Sequence, residues 1–151
     1  MKKLIDVYPY RLANGHPEFL IMKRSAGKIY ASQWRMIGGK LKKGEKYWEA
    51  ALRELQEETG LKPIQFWVIP SVNQFYEATS DSIYSIPAFG AELAHDAQIK
   101  LDDEHSEFKW VSMEKAGAFI LWPEQRRLMQ LIHDILTDQL LEILPEWRIQ
   151  I

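Results

Sequence analysis

The 151-residue sequence contains no cysteine. It can therefore form no disulfide, thiolate metal site or cysteine nucleophile, which suits a reducing compartment. No apolar run approaches the roughly 20 residues that a membrane-spanning helix needs. The N-terminal stretch is broken by charged residues and proline before a signal-peptide core can form. We therefore expect a soluble, cytoplasmic protein that does not bind membranes.

The sequence also has little excess of charge of either sign, since its formal net charge is only −2. Such a chain has no general attraction to a nucleic acid polymer, so an anionic ligand must be bound locally, by a metal ion or a few basic side chains. The sequence has no low-complexity tract and no internal repeat. Its length predicts a single domain, residues 1–151.

Two short β-like runs near the N-terminus, residues 4–12 and 19–23, flank an Asn14-Gly15 pair. Asn-Gly is a strong signal for a two-residue turn, so we expect the two runs to form a hairpin. Pro9 favours an edge strand or a bulge, because proline has no N–H to donate. Residues 24–37 show no regular pattern.

The rest of the chain alternates between helical and β-like patterns. Helices are expected at residues 45–59, with Gly60 as the C-cap, and at residues 124–144, after Pro123. The β-like stretches are residues 66–69, 72–77, 84–93 and 108–111. This order indicates an α/β or α+β layer architecture. The leucine-rich part of the last helix could pack equally on its own sheet or on a second subunit, as in a homodimer.

The first predicted helix has two different faces. Apolar side chains recur at i, i+3, i+4 and i+7 and form a face for the core; they are Trp48, Ala51, Leu52 and Leu55. Glu54, Glu57 and Glu58 stand at i, i+3 and i+4 on another side, where like charges repel. A hard divalent cation such as Mg²⁺ or Mn²⁺ would offset that repulsion, because these ions take oxygen ligands.

Residues beside these glutamates fit the same site. Arg53 can meet Glu57 four residues on or reach back to Glu45, so we expect it to fix a carboxylate rather than bind substrate. Gly38 and Gly39 allow a tight loop that brings backbone carbonyls to the helix, where one could complete a metal shell.

The spacing of these residues matches a known motif. Gly39 is followed after five residues by Glu45 and after seven more by the run Arg53-Glu54-Leu55-Gln56-Glu57-Glu58-Thr59-Gly60-Leu61. This pattern resembles the Nudix box, written Gx5Ex7REUxEExGU, where x is any residue and U is an aliphatic residue. The sequence matches the box at every defining position. The resemblance implies a three-layer α/β/α sandwich with a mixed β-sheet.

The resemblance also implies a chemistry, the metal-dependent hydrolysis of a nucleoside diphosphate linked to another moiety. Glu54, Glu57 and Glu58 would be metal ligands and Gly38 would lend its carbonyl. Glu45 and Arg53 would brace the junction between loop and helix. The metal would neutralise phosphate charge and lower the pKa of the attacking water. A nearby carboxylate would act as the base, and Glu57 is one candidate.

A second acidic cluster spans residues 102–110 and resembles a metal-facing loop of MutT-like and dihydroneopterin triphosphate pyrophosphatase members. Glu104 is our first choice as an extra ligand or base, and Glu107 is the second. A solvated acidic turn explains the cluster equally well. His105 fits better as a surface residue or a local hydrogen-bonding partner than as a direct participant.

Substrate contacts are less specific. The Trp34 to Lys40 stretch resembles the W-x-x-P-G-G-K approach of nucleoside triphosphate members, with Ile37 in place of proline. Lys23, Arg24 and Lys40 could contact phosphates, although solvated strand-end charges are at least as common. Four aromatic residues could stack on a base, although strand aromatics are more often core; they are Phe75, Tyr76, Tyr84 and Trp122.

We expect a Nudix hydrolase that cleaves a dNTP-like nucleoside triphosphate into a nucleoside monophosphate and pyrophosphate. The stretch from Trp122 to Arg126 resembles the last helix of the dATP and dihydroneopterin branch. One alternative is hydrolysis of a nucleoside diphosphate derivative, such as ADP-ribose or a dinucleoside polyphosphate. Another is a Nudix-type sensor that binds nucleotide without turnover, which the intact glutamates disfavour.

Overall fold

The predicted hairpin is present in the computed structural model, which describes residues 2–151. Strand β1 (Leu4–Ala13) and strand β2 (His16–Arg24) pair in antiparallel fashion, with Ala13 opposite His16. Asn14 and Gly15 between them have φ angles of 53° and 79°. Two positive φ values are typical of the type I′ turn, whose twist matches that of the strands it joins.

The remaining elements follow in chain order. The strands are β3 (Trp34–Arg35), β4 (Ile37–Lys40), β5 (Gln65–Glu77), β6 (Ser82–Glu92) and β7 (His105–Ser112). The helices are α1 (Tyr47–Thr59), α2 (Met113–Ala116) and α3 (Pro123–Thr137), followed by a 3₁₀ turn, Pro145–Trp147. Sequence patterns did not predict the short elements β3, β4, α2 and the 3₁₀ turn.

The strands form one mixed sheet of seven strands. Strand β1 runs parallel to β6, while β1–β2, β1–β4, β2–β3, β2–β7 and β5–β6 are antiparallel pairs. Helix α1 packs with one cluster of core residues and helix α3 with the other. The expected three-layer α/β/α sandwich with a mixed sheet is confirmed.

Alternate residues of β1 show which face of the sheet each helix covers. Ile5 and Val7 share a core with Leu55 of α1. Tyr8 and Tyr10 share the other core with Leu128 of α3. Because side chains alternate along a strand, even-numbered residues of β1 face α3 and odd-numbered ones face α1.

The expectation that Pro9 marks an edge or a bulge was wrong. Strand β1 is central, with β6 along one side. On its other side, residues 4–7 pair with β4 and residues 10–13 pair with β2. Pro9 lies between these two ladders, where the missing N–H interrupts neither of them.

Two predicted helix boundaries were also wrong. Helix α1 begins at Tyr47 rather than at residue 45, because Lys46 is its extended N-cap. Helix α3 ends at Thr137, well before residue 144. The Asp138 side chain accepts a hydrogen bond from the Leu140 N–H, and such local bonds compete with the continuation of a helix.

The β-like stretches before and after β6 also differ from expectation. Residues 66–69 and 72–77 belong to the single strand β5, whose pairing with β6 shifts register between Val68 and Val72. Strand β7 begins at His105, three residues earlier than expected, so the acidic segment lies at its start.

Within residues 2–151, no helix is both long and apolar enough to cross a membrane.

The leucine-rich face of α3 is used within the chain. Leu128, Met129, Ile132 and Ile135 are buried in the core on that side of the sheet. Leu140, beyond the end of the helix, is 93% exposed. Packing on the chain's own sheet therefore accounts for the apolar pattern, and a homodimer stays a prediction.

Candidate active site

Helix α1 presents its three glutamates in three different environments. Glu58 is 2% exposed and lies against the start of β7. The Glu54 side chain is 15% exposed and lies directly over Gly39, where a Cβ would stand 2.6 Å from Glu54 Cγ. The Glu57 side chain is 49% exposed. The helix therefore directs Glu54 and Glu58 inward and leaves Glu57 at the rim.

Arg53 joins the carboxylates of the box to the loop before the helix. Its Nε and Nη2 donate to Glu45 at 2.8 and 3.0 Å, and its Nη1 donates to Glu54 at 2.8 Å and Glu57 at 3.3 Å. Its Nη2 also donates to the Lys40 carbonyl at 2.9 Å. Hydrogen bonds from Arg53 hold the pKa of Glu45 at about 2. A planar guanidinium can hold several carboxylates at once in this way.

Glu58 is a buried carboxyl group with an unsatisfied oxygen. Its Oε2 has no hydrogen-bond partner among residues 2–151. Burial, followed by the nearby charges of Glu54, Asp102 and Glu104, raises the pKa of Glu58 to about 9. Burial also raises the pKa of Glu54. Oxygen donors that repel one another in a buried place fit a hard divalent cation, so these residues fit the metal that the box implies.

The start of β7 completes this acidic group. His105 is 6% exposed, with Nδ1 2.9 Å from Asp102 Oδ1 and Nε2 3.4 Å from Glu58 Oε1. Three atoms that could ligate a metal ion, one from each residue, lie within 4.8 Å of one another; the residues are Glu58, Asp102 and His105. Glu104 is held by Arg24, whose Nη1 donates to Glu104 Oε2 at 3.3 Å. His105 is therefore a local hydrogen-bonding partner, as expected, but it is not on the surface.

A cavity of about 590 Å³ lies in front of these carboxylates. Its lining includes the carboxylates Glu54, Glu58 and Glu104. It also includes the basic side chains Arg24, Arg35 and Lys40. Gly38 and Gly39 line the cavity between α1 and β1. An anionic chain could therefore contact basic side chains while a cation held by the carboxylates neutralises its other side.

A second cavity of about 610 Å³ adjoins the first, and both are lined by Asp6, Tyr30, Arg35, Gly38 and Gly39. Beyond that shared rim its lining combines aromatic and amide side chains with aliphatic ones and the carboxylate of Glu77; the aromatic and amide residues include Asn73, Phe75, Tyr76 and Trp122. Asp6 is 6% exposed, and burial raises its pKa to about 6. Together the cavities form a cleft with a charged half and an aromatic half.

Several predicted site residues do not line either cavity. Lys23 is paired with Glu107 at 3.3 Å. Trp34 packs edge-on against Phe119 at a centroid distance of 5.7 Å. Tyr84 is 8% exposed and stacks on Phe75 from behind. The structure does not bring these predicted substrate contacts to the cleft, and Glu57 stands outside its lining.

The predicted structural residues occupy the ends of the loop and the helix. Glu45 Oε1 accepts a hydrogen bond from the Lys42 N–H at 2.7 Å, which closes the loop. Gly60 ends α1 with φ 76° and donates its N–H to the Gln56 carbonyl. This left-handed C-cap is the conformation that glycine adopts most easily.

Sequence reasoning missed three residues near the cleft: Asp6, Arg35 and Asp102. A signal existed for Asp6, because it is the one acidic residue within an otherwise apolar strand pattern, Leu4 to Tyr8. The i, i+3 spacing of Asp102 and His105 was a weaker signal. Nothing in the local sequence around Arg35 distinguished it from other exposed basic residues.

Comparisons with known proteins agree with this geometry. The NUDIX domain family model matches residues 5–132. The asymmetrical bis(5'-nucleosyl)-tetraphosphatase of Rattus norvegicus is 29% identical over 123 residues, which cover 80% of this chain and 82% of that protein. The nucleoside triphosphatase NudI of Enterobacter sp. is 27% identical over 129 residues, which cover 80% of this chain and 90% of that protein.

A solved structure gives a further likeness at the level of the fold. The dihydroneopterin triphosphate pyrophosphohydrolase of E. coli superposes with a TM-score of 0.72 at 20% identity. The superposition covers 86% of this chain and 93% of that one. At that identity the likeness concerns the arrangement of helices and strands.

Proposed function

Because the chain belongs to the NUDIX family and is a hydrolase acting on phosphoanhydride bonds, we propose that its substrate is a nucleoside triphosphate. The products would be a nucleoside monophosphate and pyrophosphate. The observation that carries this proposal is the cleft, whose charged half adjoins an aromatic half. A triphosphate and a nucleobase require those two environments side by side.

The charged half supports the assignment of metal and phosphate contacts. Glu54, Glu58 and Glu104, with Glu57 and the Gly38 carbonyl, would hold Mg²⁺ or Mn²⁺. When bound, the cation neutralises phosphate charge and makes the attacking water more acidic. Arg24 and Lys40 would contact the phosphate oxygens, as basic groups that line the same cavity.

Glu104 would accept the proton from the water that attacks phosphorus. Its side chain is 46% exposed, so water reaches it, and Arg24 fixes its orientation. The water oxygen forms the new P–O bond, and the P–O bond to the bridging oxygen between the α- and β-phosphorus breaks. The leaving group, pyrophosphate or the nucleoside monophosphate, keeps the electron pair of the broken bond. Arg53 acts by holding Glu54 and Glu57 in place and does not contact the substrate.

The test is product analysis across a panel of dNTPs, NTPs, dihydroneopterin triphosphate, ADP-ribose and diadenosine polyphosphates, with Mg²⁺ or Mn²⁺. We expect metal-dependent release of pyrophosphate from triphosphates, with a loss in Glu57→Gln and Glu104→Gln variants. Release of monophosphates from ADP-ribose or the diadenosine compounds alone would overturn the triphosphate assignment. Full activity in both variants would overturn the assigned roles of these carboxylates.

A dinucleoside polyphosphate is the second candidate. The likeness to the rat tetraphosphatase over most of both chains favours it. A dinucleotide needs room for a second nucleoside beyond the phosphate cavity, whose lining includes Lys42. The panel separates the two candidates, because a tetraphosphate substrate cleaved asymmetrically yields a mono- and a triphosphate and no free pyrophosphate.

A further inference from the structure

Asp6 is a buried carboxylate that the metal site and the phosphate contacts do not use. It lies on β1 opposite Gly38 and is 6% exposed. Its Oδ2 accepts hydrogen bonds from Asn73 Nδ2 at 2.8 Å and from the Tyr8 hydroxyl at 3.4 Å. Its Oδ1 has no hydrogen-bond partner in the part of the chain that the structure describes. Because Asp6 lines both cavities, this oxygen is an acceptor available to a ligand in the cleft.

The partners of Asp6 fix the direction of that oxygen. Asn73 is 3% exposed, and its Oδ1 accepts a hydrogen bond from Trp122 Nε1 at 3.3 Å. These hydrogen bonds, from Trp122 to Asn73 and from Asn73 to Asp6, therefore assign the orientation of the Asn73 amide. They also hold the Asp6 carboxylate on its Oδ2 side. With Oδ2 engaged, rotation of the carboxylate would break a buried hydrogen bond, which is costly.

Aromatic rings lie beside this acceptor. Phe75 meets Trp122 edge-on at a centroid distance of 5.2 Å and stacks on Tyr84 at 5.4 Å. Phe75 and Trp122 line the same cavity as Asp6 and Asn73. A flat heteroaromatic ring can stack on such a surface while its edge meets a hydrogen-bonding group.

Asp6 and the helix carboxylates reach the first cavity from different faces of the sheet. As an even-numbered residue of β1 it faces the α3 side, whereas Glu54 and Glu58 extend from α1 on the other side. A negative oxygen there would repel phosphate groups. It would attract an N–H or O–H donor from the part of the nucleotide that lies away from the phosphates.

We propose that Asp6 Oδ1 accepts a hydrogen bond from an exocyclic amino group of the substrate's nucleobase and so selects amino-bearing bases. This inference rests on the proposed nucleotide substrate. A carboxylate is only an acceptor, so it favours an amino group and repels a carbonyl at the same position. A site built around such a bond rejects the analogue that lacks the donor, because the buried oxygen is then left unpaired.

The test compares nucleotides that differ by one amino group, in the wild type and in Asp6→Asn. The pairs are GTP with ITP, ATP with purine riboside triphosphate, and CTP with its 4-deamino analogue. Asparagine keeps the size of the side chain and can still accept from Asn73, but it then turns an N–H toward the cleft. Glu92→Gln is the matched control, since Glu92 is a half-buried carboxylate that lines neither cavity.

In the wild type we expect one pair at least to show a preference of roughly 10- to 100-fold in kcat/KM for the amino-bearing member. In Asp6→Asn that ratio should fall toward one, mainly through a higher KM for the amino-bearing nucleotide. Glu92→Gln should keep the wild-type ratio. Equal ratios in the wild type and Asp6→Asn, or no preference in any wild-type pair, would overturn the inference.

A sugar hydroxyl is the other donor that could reach this oxygen, and GTP compared with dGTP tests it. If Asp6→Asn changes only the ribose preference, the carboxylate reads the sugar and the inference is wrong. If the enzyme hydrolyses none of the nucleotides, the proposed function fails. In that event calorimetric binding of GMP, IMP, AMP, purine riboside monophosphate and CMP to the two proteins still decides the role of Asp6. Loss of the amino-dependent difference in affinity in Asp6→Asn would support the inference. An unchanged difference would overturn it.

Discussion

The two halves of the cleft differ in how many charged side chains they contain. The charged half concentrates carboxylates around Arg53, a single side chain that contacts Glu45, Glu54 and Glu57. The aromatic half holds a single buried carboxylate, Asp6, which is hydrogen-bonded to neutral groups and lies near the Arg35 guanidinium at the shared rim. In the first half Arg53 pairs with several carboxylates while Glu58 keeps one oxygen unpaired among repelling charges. In the second half two neutral donors, Asn73 and Tyr8, engage one oxygen of Asp6.

Because the two halves differ in this way, we expect changes in each half to affect different kinetic parameters. A charge removed from the first half disturbs a coupled group, so its effect should appear in kcat and in metal affinity. A change in the second half touches neutral contacts to the substrate, so its effect should appear in KM and in the choice of base.

Glu58→Gln should break the charged half most severely. The variant removes a buried oxygen charge that the cation needs, so we expect a loss of kcat above the roughly 10- to 100-fold typical of groups that only support a metal ligand. Metal titration of kcat and calorimetric binding of Mn²⁺ would measure this. A variant that binds Mn²⁺ as tightly as the wild type would contradict the assignment.

The same residue predicts a pH dependence of stability in metal-free protein. The pKa of Glu58 is raised from 4.5 to about 9 in the folded state, so the folded state holds a proton that the unfolded state releases. Its contribution to stability is therefore complete below about pH 4.5 and is lost as the pH rises toward 9.

Thermal unfolding with chelator at pH 6 and pH 9 would measure this contribution. Each kcal/mol lowers Tm by about 2–4 °C in a chain of this size. Glu58→Gln cannot ionise and should lose less stability over that range. Mn²⁺ should restore wild-type stability at pH 9 and have little effect on the variant. Parallel curves for the two proteins without metal would refute the prediction.

Arg53→Lys should lower kcat by roughly 10- to 100-fold, the cost typical of a group that orients metal ligands. A lysine ammonium cannot reproduce the hydrogen bonds that the guanidinium makes to Glu45 and Glu54 at once. Steady-state kinetics with varied metal would measure the loss. Arg127→Lys is the matched control, because Arg127 also pairs with a glutamate, Glu124, yet lines neither cavity. Equal losses in both variants would contradict a specific role for Arg53.

Gly39→Ala should lower kcat by about tenfold while leaving Tm nearly unchanged. The new Cβ would stand 2.6 Å from Glu54 Cγ, and the flexible Glu54 side chain would have to move away from its position. Displacements of about 1 Å at a catalytic group are costly in rate. Gly117→Ala, where a Cβ meets nothing within 4 Å, is the control for kinetics and melting. A large drop in Tm for Gly39→Ala would show instead that the backbone moves.

The smallest effects should lie in the aromatic half. Phe75→Leu removes a ring that lines the cavity, so we expect KM to rise by several-fold, on the scale of about 1 kcal/mol for one stacking contact, with kcat preserved. Tyr84→Phe changes only the hydroxyl of a ring behind Phe75, and kcat/KM should stay within about twofold. A larger effect in Tyr84→Phe would mean that substrate contacts Tyr84 directly.

Local sequence was sufficient where local geometry determines structure. The Asn14-Gly15 turn, the α1 carboxylates and the Gly60 cap all follow from short-range spacing. Spacing alone could not say which glutamate points inward. Glu58 is buried where His105, far away in sequence, lies against it, whereas Glu57 forms ion pairs with Arg53 and Lys42 at the rim.

The aromatic half was harder to predict for the same reason. Asp6 meets Asn73 only because β1 and β5 lie on either side of β6. Tyr84 was chosen from its type and strand position, and the pairing of β5 with β6 placed Phe75 in front of it. Contacts that depend on strand order across the whole sheet leave no local pattern in the sequence.

The parallel pairing of β1 with β6 also has a consequence for synthesis on the ribosome. A nascent chain that ends near residue 61 already contains the whole box, but Asp6 still lacks Ala88 beside it. Strand pairs distant in sequence form late, because loop closure precedes their contacts. The cleft is therefore completed only after β6 and β7 emerge, and until then the acidic helix is exposed without its binding site.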